Sequence, residues 1–294
     1  IRDSLPPGLL RSAELRGRYI QFAKAGEAEK RITQEPLNTL ENGLKVRRKM
    51  LDALHDDGLL ALKRRQEAEL KAKIAATPSL AGLGDPWGDI ARATAAERAV
   101  DLESTFFEGG AGFNSRLFRY ARILVRAAEE RAKPNAERLR EYTDTALPRI
   151  EQQLAAPIPV YPELDKLTLS FGLERMREWL GPDQPLVRRL LAAESPDTLA
   201  ARLVDGSKLA DPAVRMALWK GGAAAIAASD DPMIRLARDV DPAARAVRKT
   251  YEDTIEAPTQ LATEKIARAR FAIYGTGVYP DATFTLRLNF GAVQ

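Results

Sequence analysis

The chain has 294 residues, 45% of them hydrophobic and only 6% aromatic, which is enough to bury a substantial core in one large domain or two smaller ones. Its 45 Lys and Arg are interleaved with 41 Asp and Glu, as in Arg126-Glu129-Glu130-Arg131, so the one-sided basic patch of a nucleic-acid surface is missing. The absence of Cys excludes disulfides and thiolate zinc sites, and no apolar run approaches the roughly 20 residues of a membrane-spanning helix.

The sequence opens Ile1-Arg2-Asp3, with neither an initiator Met nor a charged-then-apolar leader. A leader is therefore expected upstream or already removed. Ala, Leu, Arg and Glu dominate, the residues that lose least freedom in a helical backbone. A first amphipathic helix is expected from Leu9 to about Lys30. A long helical pattern then follows from Leu37 to about Ala75, carrying Leu40, Leu44, Met50, Leu51 and Leu54, with a bend or break at Gly58.

Thr77-Pro78 to Gly84-Asp85-Pro86 reads as a loop, with Asp85 as N-cap and Pro86 at the first helical position. Gly109-Gly110-Ala111-Gly112 lacks the preceding strand, Lys and acid of a phosphate-binding fingerprint, so it reads as a tight inter-helix turn. Between Ala111 and Ala132, Phe113, Leu117, Tyr120, Leu124 and Ala128 follow the helical period, and Ser115 is expected to act as a helix cap rather than a nucleophile. A break at Lys133-Pro134-Asn135 precedes a helix expected from Ala136 to about Leu154. The Pro-rich segment 156–162 is an extended connector and the expected subdomain break.

Shorter helices follow, each expected to start at an Asp-Pro pair: Asp211-Pro212, Asp231-Pro232 and Asp241-Pro242. A last helix carries Ala262, Ile266, Ala269 and Ile273 and ends at Tyr274-Gly275. Beyond it, Phe284, Leu286, Leu288 and Phe290 alternate with Thr285, Arg287 and Asn289, the period of a half-buried strand. A lone strand cannot satisfy its backbone groups, so its partners are expected outside this chain or in a second copy, as in a homodimer. The fold expected is all-α, a multi-helix bundle-like domain with a short C-terminal strand.

Catalytic chemistry is sparse. The single histidine, His55, lies in Leu54-His55-Asp56-Asp57 and reads as a solvent-facing helix-end residue rather than the base of a triad. No G-x-S-x-G elbow is present. No His, Asp and Glu residues stand in catalytic metal spacings, so no cofactor and no metal is expected.

The run from Gly277 to Gly291, Gly-Val-Tyr-Pro-Asp-Ala-Thr-Phe-Thr-Leu-Arg-Leu-Asn-Phe-Gly, resembles a signature of bacterial dipeptidyl-peptidases seven and eleven, which are periplasmic serine exopeptidases. Supporting stretches are Ser229-Asp230-Asp231-Pro232-Met233-Ile234, Tyr251-Glu252-Asp253, Lys265 to Phe271 and Leu209 to Arg215. Weaker similarity covers essentially the whole chain. In that family a chymotrypsin-like double β-barrel carries the Ser-His-Asp triad, and a large helical domain is inserted within it. The resemblance implies that residues 1–276 are this helical cap. It also implies that 277–294 are the return segment of a catalytic barrel that lies outside the chain.

The family releases dipeptides from free N-termini, and an Asn of a long early helix holds the substrate's ammonium group. Asn42-Gly43-Leu44-Lys45 followed by Met50-Leu51-Asp52 matches that setting, so the resemblance assigns Asn42 to the substrate N-terminus. Where the family often has an aromatic residue and Trp, this chain has Gly43 and Leu44. An amide oxygen can accept from an ammonium without adding charge. The implied whole is a serine dipeptidyl-peptidase acting on peptides with free N-termini, periplasmic or secreted, in which this segment has no catalytic residue of its own. A reading of a different class is a free-standing helical scaffold that binds partner proteins, with its terminal strand pairing to a partner's sheet edge.

Overall fold

The computed structural model describes residues 5–275. From the N-terminus run α1 (Leu5–Ala23), α2 (Glu27–Leu54) and α3 (Asp57–Ala75), a 3-10 turn at Pro78–Leu80, and α4 (Pro86–Glu103). A π-helical turn, Ser104–Glu108, and a 3-10 turn, Ala111–Phe113, lead into α5 (Arg116–Glu130). Two more 3-10 turns, Asn135–Glu137 and Arg140–Tyr142, precede α6 (Leu147–Ala155), α7 (Pro162–Leu180), α8 (Pro185–Leu191) and α9 (Pro196–Gly206). Next come α10 (Pro212–Ala228) and α11 (Pro232–Tyr251), then a π turn at Glu252–Glu256 and α12 (Ala257–Tyr274). There is no strand among the described residues, and the all-α architecture holds. The alternating segment Phe284 to Phe290 lies outside the described residues.

Local chemistry explains most of the helix starts. Pro86, Pro196, Pro212 and Pro232 open helices whose preceding residue caps them, because proline's missing N–H is one of the donors a helix start leaves unused. Asp85 accepts from Gly88 N at 2.9 Å, Ser195 from Thr198 N at 3.1 Å, Asp211 from Ala213 N at 2.7 Å and Asp231 from Met233 N at 2.9 Å. Ser115 caps α5 by accepting from Phe118 N at 3.1 Å.

Other boundaries differ from the expectation. The first break falls at Lys24-Ala25-Gly26, and α2 then runs through Pro36. Thr33 and Leu44, on either side of that proline, are buried on the face that packs along α1, so tertiary contact holds the helix across the gap. The long pattern after Leu37 breaks at His55, where Asp56 accepts from Leu59 N at 3.0 Å, rather than at Gly58. Between Ala136 and Ala146 there is no α-helix. Side chains satisfy that irregular backbone: Leu139 N donates to Glu130 Oε2 at 2.7 Å and Asp144 N to Asn135 Oδ1 at 2.8 Å. The helix begins only at Leu147-Pro148.

The pair Asp241-Pro242 starts nothing, since both residues lie inside α11. The buried stripe of Met233, Leu236, Ala237, Val240, Ala244 and Val247 continues across the proline against α5. Packing of that face outweighs the one lost backbone bond. Asp241 is 2% exposed. It accepts from Arg126 Nε at 2.5 Å and Arg245 Nε at 2.6 Å, so its carboxylate ties α5 to α11 rather than capping a helix.

One apolar core joins α5, α6, α7, α9, α10 and α11, and it includes residues on both sides of segment 156–162. Gly172 of α7 meets the turn after Phe107 so closely that a Cβ there would stand 2.6 Å from Ala111 O and 2.9 Å from Gly112 O. In that turn Gly110 adopts a left-handed φ of 72°, which glycine reaches without steric cost. Arg215 is wholly buried and is matched by carbonyls rather than a carboxylate. It donates to Leu154 O, Leu209 O, Ala210 O and Ala156 O at 2.7 to 2.9 Å and lies 4.2 Å over the Tyr120 ring.

Candidate functional site

Asn42 lies in the middle of α2 and is exposed. At 100° per residue it stands about half a turn away from Thr33 and Leu44, the two residues that α2 buries. It therefore projects from the side of the helix that α1 does not cover. Its side chain has no hydrogen bond within the described residues. Val46 and Met50 follow on the same side and remain 59% and 45% exposed, an unusual exposure for two large apolar residues in register. The hairpin of α1 and α2 is tied to α7 by Arg18 Nη2 to Glu174 Oε2 at 2.7 Å and by Arg175 to Glu14 at 3.4 Å.

One turn N-terminal to Asn42, Thr39 reaches the rim of a hollow of about 420 Å3 between α1, α2 and the first turns of α5 and α7. Tyr19, Glu35, Thr39, Arg116, Arg119 and Asp165 line it, and Asn42 is not among its lining residues. Asp165 comes from the first turn of α7 but serves another helix. Its carboxylate accepts from Ser115 Oγ at 2.6 Å, Arg116 N at 2.6 Å and Leu117 N at 3.4 Å, so it satisfies donors that the start of α5 would leave unpaired. Burial raises the Asp165 carboxyl above the ordinary carboxylate range despite these hydrogen bonds. Burial, with Asp165 nearby, also pushes the Tyr19 hydroxyl up to about 12, so Tyr19 faces the hollow as a neutral donor.

The remaining candidates from the sequence sit apart. His55 is exposed at the junction of α2 and α3. Ser115 is bonded to a carboxylate and to its own helix, with no imidazole beside it. Gly109 to Gly112 form the tight turn expected of them. No cluster of His, Asp and Glu able to hold a metal occurs among the described residues, and none of their helices is long and apolar enough to cross a membrane.

Sequence reasoning did not single out Tyr19, Asp165 or the ion network around Asp241. Asp165 three residues after Pro162 reads as an acid serving its own helix start, and only the packing of α7 against α5 redirects it. A family model described as Peptidase S46 matches residues 1–294, the whole of the chain.

Proposed function

Because this chain belongs to the peptidase S46 family, a family of serine-type peptidases, we propose that it is the helical cap of a serine dipeptidyl aminopeptidase. The cap covers the active-site cleft and uses the Asn42 side-chain oxygen to receive the free α-ammonium of a peptide, so that two residues are released at a time. Catalysis belongs to a double β-barrel of the same polypeptide carrying the Ser-His-Asp set, and the fragment alone cleaves nothing. The protein works in the periplasm or outside the cell, as a homodimer.

The observation that carries this reading is the position of Asn42. It is exposed, has no hydrogen-bond partner among the described residues, and stands on a helix braced from behind by α1. An acceptor held in that way suits a charged amine, because the hydrogen bond adds no second charge to be desolvated. Exposure of the only histidine, His55, agrees with catalysis lying elsewhere. The test is Asn42→Ala in the full-length enzyme with unblocked peptides. Losing a hydrogen bond to a charged group costs about 1.5–3 kcal/mol, which corresponds to roughly a ten- to hundred-fold fall in kcat/KM. An unchanged kcat/KM would remove Asn42 from the site.

The exposed Val46, Met50, Leu59 and Leu62 along α2 and α3 give the scaffold reading its one support. A pull-down with the isolated chain that captures a stable stoichiometric partner, together with a full-length protein inert toward peptides, would favour it.

A further inference from the structure

On the side of α2 that faces α1, a second hollow of about 290 Å3 is lined by Arg11, Arg47, Asp101, Thr105 and Trp179. Arg11 Nη1 is buried with no hydrogen-bond partner, while its guanidinium lies 5.6 Å over the Phe106 ring. Arg47 Nη1 donates to Ser12 Oγ at 2.8 Å. Neither arginine is in an ion pair within the described residues. The Thr105 hydroxyl and the Trp179 indole N–H likewise have no acceptor there. The two guanidinium groups are close enough that Arg47 adds to burial in lowering the pKa of Arg11, while Asp101 opposes them.

Donors therefore outnumber acceptors around this hollow, and two like charges face it against one carboxylate. A buried charged donor without a partner is costly, and a guanidinium fork matches the geometry of an oxyanion. From this we infer that the hollow is a binding site for a small oxyanion, a carboxylate or phosphate group, held between Arg11 and Arg47. Thr105 and Trp179 supply neutral donors, and Asp101 sets the preference toward a single negative charge. The site is separate from Asn42, which projects about 140° away from Arg47 around α2, and it does not depend on the proposed role of that residue.

Isothermal titration of the chain with inorganic phosphate and with N-acetyl-alanine distinguishes the two sources, since the second offers only a carboxylate. The expected result is saturable one-to-one binding of at least one of them, with a change in Trp179 fluorescence and weaker binding at high salt. Tighter phosphate binding identifies a free phosphate site, whereas tighter N-acetyl-alanine binding identifies a site for the carboxylate end of a short peptide. Arg11→Gln should weaken the bound anion by about ten-fold or more, and Asp101→Asn should tighten it. Arg11→Lys keeps the charge but loses the fork, and it should also weaken binding in a protein whose circular dichroism is unchanged. The inference is overturned if neither anion saturates, or if both Arg11 variants bind as the unaltered chain does.

Discussion

Replacing Asp241 by Asn tests whether the buried charges between α5 and α11 hold the core together. Asp241 is 2% exposed and receives Arg126 Nε at 2.5 Å and Arg245 Nε at 2.6 Å. Neither arginine would be orphaned by the change. Arg126 keeps Glu108 at 2.6 and 2.9 Å, and Arg245 keeps Glu130 at 2.6 Å. Asparagine retains one acceptor oxygen, so one charge-assisted bond is lost, and an amide NH2 then faces a guanidinium. With such bonds at about 1.5–3 kcal/mol and a broken buried pair at about 3–5 kcal/mol, the expected loss is about 3 kcal/mol.

Urea unfolding followed by circular dichroism at neutral pH reads this as a lower midpoint at constant slope. The control is Asp253→Asn, which removes the Lys249–Asp253 pair at 2.7 Å, whose side chains are 77% and 57% exposed. Exposed pairs of this kind contribute little to stability. Equal, small losses at both positions would show that burial makes no difference to these charges, contrary to this expectation. A double-mutant cycle between Asp241→Asn and Arg126→Gln should show a coupling of about 1–3 kcal/mol.

Burial works to raise the Glu130 carboxyl, but Lys133, the Leu139 N–H and Arg245 bring it down from 4.5 to about 2. Its contribution, about 3 kcal/mol by linkage, is complete above pH 4.5 and is lost as pH falls toward 2. Acid titration of stability should therefore be shallower in Glu130→Gln. At the alkaline end the Tyr19 hydroxyl is raised from 10.0 to about 12, so stability present below pH 10 should drain away toward pH 12. Tyr19→Phe should lack that step when unfolding is followed across the same range. Gly172→Ala places a methyl group 2.6 Å from Ala111 O, and the backbone there has to shift. A loss of about 1–3 kcal/mol is expected in thermal or urea unfolding, whereas Gly43→Ala, with open space around its Cβ position, should be neutral or slightly stabilising.

Much of the fold is written in short-range chemistry. Asp85-Pro86, Asp211-Pro212, Asp231-Pro232 and Ser115 cap helices as their types suggest, because a side-chain oxygen two or three residues from a free N–H needs no distant partner. Gly275 ends α12, as expected, with a positive φ of 57°. Where the reading failed, a distant partner intervened. Asp241-Pro242 has the same local pattern as the other pairs, yet Arg126 and Arg245 claim the carboxylate and the packed face of α11 carries the helix across the proline. Segment 136–146 has helical composition, yet Glu130 and Asn135 satisfy its backbone in another conformation.

The site divides in the same way. Asn42 is proposed from the family resemblance, through Lys45 and Met50-Leu51-Asp52, which stand on the same helix. The two hollows could not be read from the sequence, because each is assembled from helices far apart in the chain: Tyr19 with Asp165, and Arg11 with Arg47 and Trp179. Sequence alone determined helix content, most of the caps and the family resemblance, which depend on contacts within a few residues. Tertiary structure decided which charges are buried together and which donors are left without acceptors, because those outcomes depend on how α1, α2, α5, α7 and α11 pack.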